Sequence, residues 1–289
     1  MWDAVYENAK ILDLPGGAVC CLRAGSGPVV MLIHGIPLSL ATWRHNIEAL
    51  ARDFSVIAVD MRGFGRSEKP EGGDYSVDAH ARVLADVLDA FGHERVSLIA
   101  SSYGCAPAIR LALDDPGRVE RLVLINSVGC PRGGHSAERV LRIRLIEALL
   151  RRALRTSWMG RSIFASRLRK SYADRALATR EVVDSYYRQL LGERGERTFL
   201  ATLKRFDERA LAMQIPRLSC ETLILWGGRD KVLPIASGAW LHKRIAGSRL
   251  EILEDCGHLP HEEDPQRVNA LIADFLLPHA VQERALRAV

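Results

Sequence analysis

Arg95-Val96-Ser97-Leu98-Ile99-Ala100-Ser101-Ser102-Tyr103-Gly104 is an apolar run that ends in small residues and opens a segment of helical period. Such a run reads as a buried strand, a sharp turn and a helix. A nucleophile carried on that turn needs small residues two positions before and two after it, because the strand and helix backbones approach closely there. Ala100 and Gly104 fill those places around Ser102, whereas Ser101 would have Ile99 and Tyr103. Ser102 is therefore the expected nucleophile. The turn would lift its hydroxyl above the sheet edge and set the backbone N–H of Tyr103 beside it at a helix N-terminus.

A serine hydroxyl is a weak nucleophile at neutral pH, so it needs a base within reach, and the base needs an acid to fix its tautomer. Two later stretches supply them. Leu223-Ile-Leu-Trp-Gly-Gly-Arg-Asp230 places an acid just beyond a strand, and Glu254-Asp-Cys-Gly-His258-Leu-Pro-His261 places a histidine just beyond the next. A turn-forming role is the plain alternative for Asp230, and His261 is the alternative base. The preceding strand and following Pro234 favour an acid at 230, and Gly257 before His258 sets that histidine at a loop tip.

Outward from the elbow, short Val/Ile/Leu runs alternate with helical periods over the first 130 residues, which is the pattern of βαβ units and a parallel sheet. Strands are expected over Val29–His34, Phe54–Asp60, Arg95–Ala100 and Arg121–Asn126, with helices over Leu40–Arg52, Val77–Phe91 and Tyr103–Leu113. A hairpin around Pro15-Gly16-Gly17 precedes them. Helical period runs from Ala137 to about Leu211 without a strand. The alternation then resumes with strands Thr222–Trp226 and Arg249–Leu253 and helices Ala236–Ile245 and Pro265–Leu277.

Further motifs join the elbow and the two acid and base loops: His34-Gly-Ile36-Pro37 after the third strand and Asp60-Met-Arg-Gly-Phe-Gly-Arg-Ser67 after the fourth. With five motifs in this order, the chain resembles the α/β-hydrolase superfamily, in particular serine hydrolases with a helical cap. The resemblance implies an eight-stranded, mostly parallel sheet flanked by helices. It implies a hydrolase core over residues 1–130 and 216–289 and a cap over 131–215, inserted after the sixth strand. It also implies a Ser102–His258–Asp230 triad, with the backbone N–H groups of Ile36 and Tyr103 as the oxyanion hole.

The sequence departs from the family at Ala100, where glycine is usual, and at Ser101, where histidine is common. Asn126 occupies the family's other acid position, which leaves Asp230 without a competitor. His34 is expected to brace the oxyanion loop through backbone hydrogen bonds, and Cys105 to pack against the sheet. Aromatic and methionine residues of the cap, including Trp158, Met159, Phe164, Tyr172, Tyr186, Tyr187 and Phe199, are cap core or pocket lining; Trp158, Tyr186 and Tyr187 are the candidate substrate contacts.

A serine at position 102 sets the chain apart from the family's epoxide hydrolases and haloalkane dehalogenases, which carry aspartate there. Hydrolysis of a carboxylic ester through an acyl-enzyme is the expected reaction, without cofactor or metal. Cleavage of a carbon–carbon bond beside a carbonyl, a lactone or a carrier-protein thioester stays open. So do cofactor-free lyase or acyltransferase chemistry and, in another class, a ligand receptor that keeps the triad.

The 289 residues carry 40 Lys and Arg against 35 Asp and Glu. Residues 131–215 hold 19 of the basic and 9 of the acidic ones, so the surplus belongs to the expected cap. Solvated helix faces, an anionic substrate or an acidic carrier protein would each account for it, and a homodimer is left open. No base-reading motif accompanies the charge, so nucleic acid is not an expected partner. Six cysteines without a CxxC pair suit reduced thiols, and no apolar run is long enough for a membrane span, so a cytoplasmic location is expected.

Overall fold

The computed structural model describes residues 4–131, 152 and 157–277. Its eight strands are β1 (Ala9–Leu12), β2 (Val19–Ala24), β3 (Val29–Ile33), β4 (Ser55–Val59), β5 (Val96–Ser101), β6 (Val119–Ile125), β7 (Glu221–Gly227) and β8 (Arg249–Leu253). They form one sheet in the order β1-β2-β4-β3-β5-β6-β7-β8. The first two strands run antiparallel and the remaining six are parallel.

The apolar runs are nearly continuous because both faces of the sheet are covered. Successive side chains still point to opposite sides. Leu32, Ile99, Val123 and Leu225 meet one buried cluster; Met31, Leu98, Leu124 and Ile224 meet the other. The helices α1 (Ile47–Leu50), α2 (Val77–Ala90) and α3 (Cys105–Asp114) belong to the first half of the chain. Ser76 caps α2, its hydroxyl accepting the Ala79 N–H at 3.2 Å. Between β6 and β7 lie four described helices, α4 (Ser157–Ser171), α5 (Arg180–Leu191), α6 (Gly195–Arg205) and α7 (Glu208–Gln214). After β7 come α8 (Ile235–Arg244), α9 (Pro260–Glu263) and α10 (Pro265–Leu276).

The helix expected over Leu40–Arg52 is instead a 3₁₀ turn at Leu40–Trp43 followed by the short α1. Its first N–H, at Leu40, is taken by the buried Asp60 carboxylate at 2.7 Å, and Asn46 is held by Asn269 at 2.8 Å. These tertiary bonds outweigh the helical period of the segment. Of the helical period expected from Ala137 to about Leu211, the part before residue 157 lies outside the described residues, apart from residue 152. Among the described residues, no helix is long and apolar enough to cross a membrane.

Helices α4–α7 rest on loops that leave the carboxyl ends of the strands. Thr198 of α6 donates to the Gly63 carbonyl at 2.6 Å, and Arg194 and Arg197 pair with Glu71. At the other flank Tyr172 and Tyr186 donate to Glu262, at 2.9 and 2.6 Å.

Three histidines are fully buried, and burial pushes each down from the usual 6.5 to about 4. His34 braces Gly35 and Met61, His80 bridges the Tyr103 hydroxyl and the Arg62 carbonyl, and His261 meets Thr42. In the unfolded chain such groups take up protons near pH 6.5, in the fold only near 4, so acidification across that interval favours unfolding. Asp60 works the other way, because burial raises it to about 6 against the hydrogen bonds from the Leu40 and Arg66 N–H groups. Burial raises Glu263 as it does Asp60, but it lowers His45 and His93 as well as the three buried histidines, so the balance stays with the histidines. The thermal midpoint is expected to fall steadily between pH 6.5 and 4 in calorimetry, and a level or rising midpoint over that interval would contradict this assignment.

Candidate active site

Five loops at the carboxyl edge of the sheet converge, following β3, β5, β6, β7 and β8, which is where open parallel sheets bind ligands. Ser102 sits directly after β5 with φ +53°, a region that few non-glycine residues occupy. The turn is this tight because α3 starts against the end of β3. A side chain at Gly104 would come within 2.4 Å of the His34 carbonyl oxygen and 2.8 Å of that of Ile33. Glycine is the residue that fits there. Ala100 is fully buried and small enough for the same approach, so the departure from the usual glycine costs the turn nothing visible.

The Ser102 Oγ stands 2.9 Å from His258 Nε2, and His258 Nδ1 stands 2.7 Å from Asp230 Oδ2. Burial opposes ionisation of Asp230. The hydrogen bond with His258, together with the Leu233 N–H and the Asn126 amide, nevertheless holds its carboxyl below the usual range. An ionised Asp230 accepts, so Nδ1 carries the proton and Nε2 is left to accept from the Ser102 hydroxyl. Asp230 Oδ1 accepts the N–H groups of Val232 and Leu233 at 2.6 and 2.9 Å. All four of its contacts orient the carboxylate towards the imidazole.

Ser101, the other serine of the elbow, has a buried hydroxyl without a hydrogen-bond partner among the described residues. His261 lies off this line as well. Thr42 has one proton, which it gives to Glu262 at 2.5 Å, so at 2.9 Å it accepts from His261 Nε2. Cys105 is fully buried with its thiol pushed up to about 12 by burial, and it points at the Ala100 carbonyl. His34 donates from Nδ1 to the Gly35 carbonyl at 2.8 Å and accepts the Met61 N–H on Nε2 at 3.0 Å. That ties the loop after β3 to the loop after β4. Gly35 lies against Ser102, since a side chain there would come within 2.9 Å of the Ser102 Cβ. The backbone N–H groups of Ile36 and Tyr103 thus belong to the two loops that flank the serine.

Of the aromatics on the inserted helices, Trp158 is 70% exposed on α4, Tyr186 is fully buried with its hydroxyl on Glu262, and Tyr187 packs on Phe164 with ring centres 5.7 Å apart. None of these three contacts is made directly to Ser102, His258 or Asp230. Asn126 does belong to the constellation. Its side-chain amide donates to Asp230 Oδ2 at 2.5 Å, and its carbonyl oxygen accepts the Gly227 N–H at 3.2 Å. Its φ of +45° is one that asparagine tolerates better than most residues. An asparagine just past a strand end, in the place of an acid, was the only signal in the sequence.

The family model of the alpha/beta hydrolase fold matches residues 28–265. The chain belongs to this family. It is 32% identical to the 2-hydroxy-6-oxo-2,4-heptadienoate hydrolase of Pseudomonas putida over 286 residues, covering 93% of this chain and 97% of that one. It is 30% identical to the 2-hydroxymuconate semialdehyde hydrolase of Pseudomonas sp. over 265 residues, covering 88% of each. Among solved structures, a point mutant of the meta-cleavage product hydrolase CumD from Pseudomonas fluorescens, complexed with acetates, superposes with a TM-score of 0.79. That pair is 26% identical and covers 92% of this chain and 96% of the other. The chain is thus a hydrolase by family, and its fold is that of its relatives.

Asn126→Ala removes three side-chain hydrogen bonds, to Asp230, the Gly257 carbonyl and the Gly227 N–H, and the side chain that suits a left-handed backbone. Its cost is expected to be about 1–3 kcal/mol in urea denaturation. A loss below about 0.5 kcal/mol would mean that Asp230 is held without it.

Proposed function

We propose that the chain is a serine hydrolase that attacks a carbonyl through Ser102, with His258 as the base and Asp230 as its orienting acid. The observation that supports this reading is the hydrogen-bonded line Ser102 Oγ–His258 Nε2, His258 Nδ1–Asp230 Oδ2, at 2.9 and 2.7 Å. Attack passes the Ser102 proton to His258 and puts negative charge on the carbonyl oxygen. The N–H groups of Ile36 and Tyr103 receive that charge. Collapse expels the leaving group, which takes the proton from His258, and a water activated by the same imidazole hydrolyses the acyl-enzyme.

The substrate class we propose is a small 2-hydroxy-6-oxo-dienoic acid, cleaved at the carbon–carbon bond beside its 6-oxo group. The relatives named above support this choice, since their names state such acids. A carbon leaving group must carry an electron pair. Ketonisation at C2 provides a place for it, because the pair then spreads into the C2 carbonyl through the chain. An anionic acid also agrees with the basic surplus of residues 131–215. Ester hydrolysis is the second reading, because the triad acts equally on an ester carbonyl, whose alkoxide is an easier leaving group.

Folded wild-type protein is expected to be labelled by a fluorophosphonate probe, and Ser102→Ala to lose the label and about 10³-fold or more of its hydrolytic rate. Failure of the folded wild type to label would remove the active-serine reading. A panel of 2-hydroxy-6-oxo-dienoic acids beside p-nitrophenyl esters separates the two substrate classes. The acids should give the higher kcat/KM, and a preference for the esters would reverse the order proposed here. Raising the salt concentration should lower kcat/KM for the acid far more than for a neutral ester, by screening the attraction between unlike charges. An equal response would dissociate the basic surplus from substrate capture.

A further inference from the structure

Around His258 the structure shows a second set of contacts that the triad does not use. The backbone N–H of His258 itself donates to the Ser171 carbonyl, at the end of α4, at 2.6 Å. Glu263 stands across the same junction. One carboxylate oxygen accepts the Gly257 N–H at 2.8 Å, and the other accepts the Ala173 N–H at 2.7 Å. The two backbones are so close that a side chain at Gly257 would come within 2.6 Å of the Ser171 oxygen and of the Ala173 nitrogen. The loop that carries the proposed base and the link between α4 and α5 are therefore in backbone contact, with one carboxylate bridging them.

Glu262 anchors the next residue of the link. Tyr172, between Ser171 and Ala173, donates to Glu262 at 2.9 Å, and Tyr186 of α5 donates at 2.6 Å. Arg44, from the loop after the 3₁₀ turn, pairs with the same carboxylate at 2.8 Å, and Thr42 donates to it as well. Burial opposes ionisation of Glu262, but the Arg44 and His261 groups and the hydroxyls hold its carboxyl below the usual range. The two adjacent glutamates of α9 thus grip the 171–173 link from both sides, four and five residues beyond His258.

A main-chain hydrogen bond to the residue that must accept a proton fixes where its ring can stand. Its Nε2 reaches Ser102 at 2.9 Å, a distance at which small displacements of the loop weaken the hydrogen bond. We infer that the 171–173 link and the Glu262–Glu263 pair are a positioning apparatus for His258, so that the inserted helices set the geometry of the base. Glu263 is the positioning residue of this device and Glu262 is its anchor. The inference rests on the reading of His258 as the base of Ser102.

Inactivation by a fluorophosphonate, resolved into its limiting rate constant and its half-saturating concentration, tests both statements separately. Glu263→Gln keeps the size of the side chain but sets an NH₂ donor against one of the two N–H groups, so one arm of the bridge is lost. Its limiting labelling rate is expected to fall about tenfold or more with the half-saturating concentration within about twofold of wild type. Tyr172→Phe, which removes one hydroxyl from Glu262, should lower the same rate by about threefold; it replaces Glu263→Gln as the deciding variant should the latter not fold.

Glu71→Ala is the control. It breaks the ion pairs of Arg194 and Arg197, which hold the insertion to the loop after β4 rather than to the loop after β8, and both constants should stay within about twofold. A folded Glu263→Gln protein that labels at the wild-type limiting rate overturns the inference, whatever its thermal midpoint. A Glu71→Ala protein that loses as much rate as Glu263→Gln overturns it too, because general loosening of the helices would then explain both. Absence of labelling in the wild type points instead at the Ser102 reading and takes the inference with it.

Discussion

The turn at Ser102 depends on how closely two backbones approach. With φ at +53° the residue faces away from β5, and the helix that follows begins almost in contact with the end of β3, where the His34 carbonyl leaves no room for a side chain at 104. A larger residue at Gly104 would push α3 off the sheet and carry the Ser102 hydroxyl and the Tyr103 N–H with it. His34 in turn is locked in one tautomer by a donor bond to Gly35 and an acceptor bond from Met61, so the loop that bears Ile36 is fixed by the same corner. Ser102, the amides that flank it and the bracing histidine share a single steric constraint, and the rest of the constellation is built to meet it.

The histidine and its acid approach from strands on the other side of β5, and their loops are held by polar rather than steric means. Asp230 has every contact directed: two backbone N–H groups on one oxygen, Asn126 and His258 on the other. Buried charge is tolerated only with such compensation. Because Asn126 also accepts from Gly227, it fastens the end of β7 to the end of β6 and makes Asp230 a product of three strands. Positive backbone torsions at Ser102 and Asn126 place local strain at the site, where the surrounding sheet over-determines it.

The fold was legible in the sequence because a sheet covered on both faces needs near-continuous apolar strands, and runs such as Val29-Val-Met-Leu-Ile33 have no other reading at that length. The small residues about Ser102 and the loop positions of Asp230 and His258 were legible for a related reason: local backbone geometry demands them. Asn126, Glu262 and Glu263 were not. Their partners stand 104, 90 and 90 residues away, at Asp230, Tyr172 and Ala173, and periodicity carries no information about such pairs. The same limit explains Leu40–Arg52, whose helical period is overruled by Asp60 and Asn269. Aromatic residues of the inserted helices are ambiguous for a different reason. Core and pocket ask for the same side chains, and only contacts such as Tyr186 with Glu262 tell them apart.

The positive charge of the inserted helices is the feature whose meaning depends most on where those helices sit. Several of the described arginines are committed to partners: Arg161 and Arg180 to Asp184 within the insertion, Arg194 and Arg197 to Glu71, and Arg205 to Asp74. Arg194, Arg197 and Arg205, at the start of α6 and within it, reach acids outside the insertion, so one part of the basic surplus meets the acidic excess of the other residues. Exposed pairs of this kind each add little to stability, about 0–1 kcal/mol. Their sum of charge nonetheless survives at a distance, because a neutralised pair cancels one arginine and the insertion has many more of these than acids. Net positive charge on residues 131–215 and net negative charge on the remaining residues therefore persist after this pairing. The hydrogen-bonded buried clamp on the other flank, around Glu262, ties the described helices of the insertion to the loop after β8 without contributing net charge of its own, because Arg44 neutralises the one carboxylate that Tyr172 and Tyr186 share.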